Sequence, residues 1–266
     1  MKTKFLTACC ILFLSAPLAM AQVCGVSASK LGACNATPVP LHSLEFEPIF
    51  ASMWSTNFWN QDRRNMPRFE SNDSIEHNTS LTFRTTYGVS RNAEAGFLLS
   101  SDLSQMGLAT KIRFLQTEKN ELAWLAGYHY ERPGEPESNP GRPENIRHAA
   151  VAGLSWTTFL SRRWSVDTDF QWQTDYFQQE SGNQIFFNAD AGYFIQHGLQ
   201  AILGISYNRG WGDADSGTRE LTTLNIGGTI ETGENFILVF GFPVDVYGKN
   251  EIRQSGFVFA VTMLFD

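Results

Sequence analysis

Past residue 21 the chain has no apolar run of about twenty residues, so it offers no helix long enough to span a bilayer. Cysteine is scarce. There are 4 in 266 residues, and Cys9 and Cys10 fall in the first 21. Positive charge is also short, with 20 Lys and Arg against 27 Asp and Glu. An acidic chain is a poor partner for phosphate backbones, so no nucleic acid is expected. The 5 histidines and the acids show no metal-ligand spacing, and no glycine-rich phosphate loop is present. No cofactor, metal or nucleotide-driven step is expected on these grounds.

What is present begins with a leader. Lys2 and Lys4 precede an apolar run from Phe5 to Leu18, and Ala19-Met20-Ala21 is a small-x-small cleavage signal. Residues 1–21 are expected to be a removed signal peptide. Its loss takes two lysines and no acids, moving the net charge from −7 to −9. Cys24 and Cys34 then remain as an even pair in an exported chain, which suggests a disulfide. Residues 22–43 are small, proline-containing and aperiodic, and are expected to form a periplasmic N-terminal segment, either a short plug or a tether.

From residue 44 the pattern changes. Trp164 to Tyr176 alternates strictly. Trp164, Val166, Phe170, Trp172 and Tyr176 fall on one face, with Asp167, Asp169, Asp175 and the glutamines on the other. Strand side chains alternate with period 2, so this segment has one apolar face and one acidic face. A membrane barrel needs that pattern, with lipid outside and a polar lumen inside. Twelve such segments are expected, at 44–54, 79–90, 93–101, 106–116, 121–131, 147–160, 164–176, 184–196, 198–208, 220–231, 235–246 and 255–265. The fold class is therefore all-β: a transmembrane antiparallel up-and-down β-barrel of about 12 strands, over residues 44–266.

Two further regularities agree. Connections alternate long and short, with 55–78, 132–146 and 209–219 long and turns such as Ser90-Arg91-Asn92 tight. Outer-membrane barrels have long extracellular loops and short periplasmic turns. Aromatics also gather at strand ends. Trp54, Tyr128 and Tyr207 are expected at one rim, and Tyr87, Trp164, Phe236 and Phe265 at the other.

Period 2 then assigns the charges to the lumen. Arg84, Glu94, Lys111 and Arg113 are expected on one part of the wall, with Glu45 and Glu47 nearby. Asp167, Asp169, Asp175 and Asp190 are expected on another part. They suit either a polarised pore that selects solutes or an internal network filling a narrow barrel. Apolar lumen positions such as Leu125, Val151, Phe159, Val239 and Val258 suit a constriction or packing against the N-terminal segment. His148 lies near the outer end of its strand beside Tyr128 and Tyr130, but no serine is placed to serve as its nucleophile.

The hairpin Tyr87-Gly88-Val89-Ser90-Arg91-Asn92-Ala93-Glu94 resembles one in the outer-membrane family named for the meta-pathway of phenol degradation. The strand Phe257 to Phe265 resembles the C-terminal signal read by outer-membrane assembly machinery, with Asp266 following where that signal usually ends on an aromatic. The resemblance implies a transporter-type barrel with no catalytic residues to carry over. The expected function is an outer-membrane channel or passive transporter for small solutes, apolar and aromatic compounds among them. The alternatives are a filled structural or surface-interaction barrel and, further off, a barrel lipid hydrolase. Expected partners are outer-membrane lipid, the assembly machinery and a small-molecule solute, in the outer membrane of a Gram-negative bacterium.

Overall fold

A computed structural model describes residues 25–27, 30–69, 74–132, 147–176, 181–211, 217–233 and 235–266. Residues 1–21, expected to be a signal peptide, Cys24 and most of the 132–146 loop lie outside the described residues.

Thirteen strands follow in chain order. They are β1 (Leu44–Trp59), β2 (Asn65–Pro67), β3 (Glu76–Ser90), β4 (Ala93–Ser100), β5 (Gln105–Gln116), β6 (Asn120–Glu131) and β7 (Arg147–Phe159). Then come β8 (Trp164–Tyr176), β9 (Ser181–Gln196), β10 (Leu199–Trp211), β11 (Thr218–Gly233), β12 (Phe236–Lys249) and β13 (Glu251–Phe265). Strand β2 is a three-residue fold-back on Asn57–Trp59. The other twelve pair antiparallel with their sequence neighbours, and β13 pairs with β1 from Leu44↔Phe265 to Trp59↔Glu251. The sheet is thus a closed antiparallel barrel of 12 strands with no free edge, so its backbone hydrogen bonds are satisfied within the sheet.

The expected face assignments hold along the wall. Leu81, Tyr87, Leu108, Ile112, Leu203 and Phe259 are exposed on the outside. Arg84, Glu94, Lys111, Asp167, Asp169 and Asp190 are buried on the inside. Outward indoles still satisfy their N–H groups: Trp156 Nε1 donates to Asn120 Oδ1 at 3.1 Å, and Trp172 Nε1 to Asn183 Oδ1 at 3.2 Å. A lipid-facing indole needs such a partner because no water is there to supply one.

Two expectations need correction. The connection expected at 247–254 is nearly all strand, since β12 runs to Lys249 and β13 starts at Glu251, leaving only Asn250 between them. Asn250 makes this turn with φ 50°, a left-handed conformation that asparagine tolerates better than most residues. Phe159 is 42% exposed at the end of β7 instead of packing in the lumen. Period 2 assigns a face, but at a strand terminus the face no longer encloses anything.

Strand ends also extend beyond the expected spans. Arg209 and Arg219 lie there with their side chains about half exposed, paired with Glu220 and Glu251. Half-exposed charge is tolerated at this height because water reaches it.

Candidate functional site

Residues 25–27 and 30–40 lie inside the barrel, and the acidic wall is built around them. The segment has no internal ladder, so its backbone N–H groups need acceptors elsewhere. The carboxylates supply them. Asp190 Oδ2 accepts from the N–H groups of Leu31, Gly32 and Ala33 at 3.0, 2.7 and 2.9 Å. Three successive N–H groups converging on one oxygen form an anion-binding nest. Asp169 accepts from Cys34 N–H at 2.8 Å, and Thr157 Oγ1 from Ala36 N–H at 2.9 Å. Asp167 pairs with Lys30.

On the opposite flank Glu94 accepts from Ser27 N–H at 2.8 Å and from Val39 N–H at 2.6 Å. Lys111 lies 3.2 Å from Glu94, with both side chains fully buried. Its ammonium also donates to Ser27 O, Asn35 Oδ1 and Thr37 O at 3.0, 2.8 and 3.1 Å. One ion pair thus clamps both limbs of the inserted segment. The wall comes close enough only where it lacks side chains. A Cβ on Gly96 would lie 1.6 Å from Gly25 O, and one on Gly88 would lie 1.9 Å from Pro40 O.

The eight lumen charges singled out from sequence therefore divide. Glu94, Lys111, Asp167, Asp169 and Asp190 touch the inserted segment. Arg84, Arg113 and Asp175 are paired within the wall. Arg84 lies 3.1 Å from Glu45 and 2.8 Å from Glu47, Arg113 3.0 Å from Glu121, and Arg147 3.0 Å from Asp175. The apolar lumen residues divide too. Leu125 and Val151 cluster with Val26 and Cys34 of the inserted segment. Val239 and Val258 instead line a cavity. Cys34 is a buried free thiol, and its expected disulfide partner, Cys24, lies outside the described residues. Burial, reinforced by the Asp169 carboxylate, pushes this thiol well above its ordinary value.

The cavity is the space the segment leaves open. It measures about 360 Å³, within the usual range for small-molecule pockets. One side is Lys30 to Gly32 with Asn35 of the inserted segment. The other is the inner face of β1 and β10–β13. On β1 it follows Glu45, Glu47, Ile49, Ala51 and Met53, so it runs along the strand from residue 45 to residue 53, roughly 26 Å at about 3.3 Å per residue step.

The chain folds like an outer membrane channel of Pseudomonas putida F1. That crystal structure superposes with a TM-score of 0.65 over 89% of this chain and 100% of the channel, at 11% identity. A Pseudomonas aeruginosa FadL homologue and the KdgM porin in complex with oligogalacturonate give TM-scores of 0.46 at 9% and 10% identity, covering 91% and 84% of this chain and 96% and 99% of theirs. Those values reflect little beyond shared barrel architecture. No known sequence family matches the chain, and no curated protein does. The likeness is one of fold.

Two inward acids escaped the sequence reading as site residues, Glu121 and Asp245. Glu121 accepts from Thr37 Oγ1 and Arg113. Asp245 borders the cavity. The parity that put Leu125 and Val239 in the lumen puts these two there as well. Ser27 and Lys30 carried no signal, because their segment has no period. His148 is enclosed as expected from one side, with its Nδ1 hydrogen-bonded to Tyr128 OH and its ring edge-on to Tyr130 at 5.6 Å.

Proposed function

We propose that this protein is an outer-membrane channel that passes small solutes beside an N-terminal plug. The observation that carries the reading is the cavity running along β1 and β10–β13 past the inserted segment. The likeness in fold to the P. putida channel supports it. So does the resemblance of the Tyr87–Glu94 hairpin to the phenol meta-pathway family, which favours apolar and aromatic solutes. In this reading Glu94, Lys111, Asp167, Asp169 and Asp190 anchor the plug, and contact with solute falls to Glu45, Glu47, Arg84 and Asp245 along the cavity. Residues 1–21 are a signal peptide, and the outer membrane of a Gram-negative bacterium is the destination. Lipid and the assembly machinery are the partners there.

The test is steady conductance in planar bilayers with the purified, heat-modifiable protein, and flux of small sugars and amino acids in liposomes. Size-limited flux is expected. No flux and no conductance from folded protein would overturn the channel. It would leave the filled, surface-interacting barrel, a reading that the close fit of the plug on the acidic wall favours.

A further inference from the structure

The cavity beside the plug is not evenly charged. At its inner end Arg84 faces two carboxylates, Glu45 and Glu47, so that cluster holds one negative charge in excess. Lys30 is neutralised from behind by Asp167. Toward the outer end stands Asp245, 4% exposed. Its carboxylate accepts from Thr223 Oγ1 at 2.6 Å and from Gln254 N–H at 2.8 Å, and it makes no ion pair among the described residues. The nearest cation, Arg253, donates through Nε to the carbonyl of Asp245 instead and lays its guanidinium over Trp59. Between the two ends β1, β12 and β13 give an apolar strip of Ile49, Ala51, Val239, Val258 and Ala260, faced from β10 and β11 by the neutral polar groups of Ser206, Asn208, Thr223 and Asn225.

We propose that this cavity binds small amphipathic cations, an ammonium group on a short apolar or aromatic body, with the ammonium at Asp245. The inference rests on the channel reading for the route by which the solute arrives. The physical reason is the sign and setting of the charge. A cluster with one carboxylate in excess and the buried Asp245, which has Arg253 nearby but not ion-paired to it, flank this strip, where a charge is screened less than in water. An anion would meet repulsion at both ends. A neutral apolar molecule would cover the strip but leave both charges unanswered. An ammonium with an apolar tail satisfies the carboxylate and the strip together.

The experiment is calorimetric titration of the folded, detergent-solubilised barrel with benzyltrimethylammonium and with benzoate, paired with the potassium-to-chloride reversal potential in planar bilayers. Saturable binding of the cation and none of benzoate is expected, with a cation-selective reversal potential. Asp245→Asn keeps one oxygen to accept from Gln254 N–H and turns its amide N–H toward Thr223 Oγ1, and should weaken cation binding about tenfold, the equivalent of losing one charge-assisted contact. Val239→Trp, which fills the cavity from β12, should abolish binding in a barrel that still shows heat-modifiable migration. Asp102→Asn, in the β4–β5 loop, should change nothing. Equal binding of benzoate, no cation binding, or unchanged affinity in Asp245→Asn would overturn the proposal. Conductance without the cation preference would leave the channel standing and remove this inference. Cation binding without conductance would do the reverse.

Discussion

Replacing Lys111 with methionine should loosen the plug and spare the barrel. The Lys111 ammonium is fully buried against Glu94 and reaches Ser27, Asn35 and Thr37. Methionine keeps most of the stem volume and removes the charge. Breaking a buried pair by removing one partner costs about 3–5 kcal/mol, because the other charge stays behind. Here Glu94 keeps its donors from Ser27 and Val39, so the lower figure applies, about 3 kcal/mol. The carboxylate is better solvated with the segment lifted away, so this cost falls on the seated state. It should raise the opening equilibrium of the plug by on the order of 100-fold. The twelve-strand ladder does not depend on the pair, so heat-modifiable migration should persist. Hydrogen exchange in folded protein, followed by mass spectrometry, reads the two separately. Amides of Ser27, Cys34 and Val39 should lose protection while those of β6 and β8 keep theirs. Combining Lys111→Met with Glu94→Gln should cost less than the two single changes added together, since no unpaired charge is left. Unchanged plug protection in Lys111→Met would refute the clamp.

Three further outcomes follow from the same geometry. Asp190→Ala leaves the N–H groups of residues 31–33 without their acceptor and should speed exchange there more than Asp190→Asn, which retains one oxygen. Gly96→Val puts a side chain where Gly25 O now lies, so it should displace the segment and raise single-channel conductance without unfolding the barrel; conductance equal to wild type would count against the insertion. The raised pKa of Cys34 keeps its thiol protonated and unreactive at neutral pH, so iodoacetamide should label it only after denaturation. Labelling of the denatured chain without reductant would show a free thiol, and labelling only after reduction would show the expected bond to Cys24.

The barrel wall was legible because it obeys one rule repeated twelve times. Leu81, Phe83, Thr85 and Tyr87 against Thr82, Arg84 and Thr86 is enough to set a strand and both its faces. The tight turn at Arg91-Asn92 and the long connection after Trp59 then set the direction. The meaning of the lumen charges was not legible. Parity places Asp190 inside but cannot tell that its oxygen will meet Leu31, Gly32 and Ala33, at least 157 residues earlier. Those contacts use backbone N–H groups, which every non-proline residue carries, so the sequence of the plug holds no mark of them. Gly88 shows the same limit. It stands in the hairpin that carried the family resemblance, yet its role becomes clear only where Pro40 passes over it.

The placement of the acids accounts for the placement of the passage. A twelve-strand barrel is too wide for its own side chains to fill and narrower than an open porin. An inserted chain fills the gap, but it brings polar N–H groups that must be paired inside the lumen. Carboxylates meet that demand well, since each accepts several bonds and charge-assisted bonds are the stronger kind. The cost is that acids without such donors would repel one another, so they are useful only where the chain runs. On β4, β8 and β9 the acids face the plug, and the plug is seated there. Along β12 and β13 the inner wall turns to Val239, Gly241, Val258 and Ala260, which offer the plug backbone nothing to bond. The segment's backbone is therefore held on the acidic side, the Leu31 side chain reaches across to Gly227 and Gly241, and the space left over has an apolar strip along β12 and β13. Adding an acceptor to that wall should shift the balance: Val258→Asp would offer the segment a second seat across the cavity. The expected result is lower conductance with the barrel intact, whereas higher conductance would mean that the plug is held by shape and not by its hydrogen bonds.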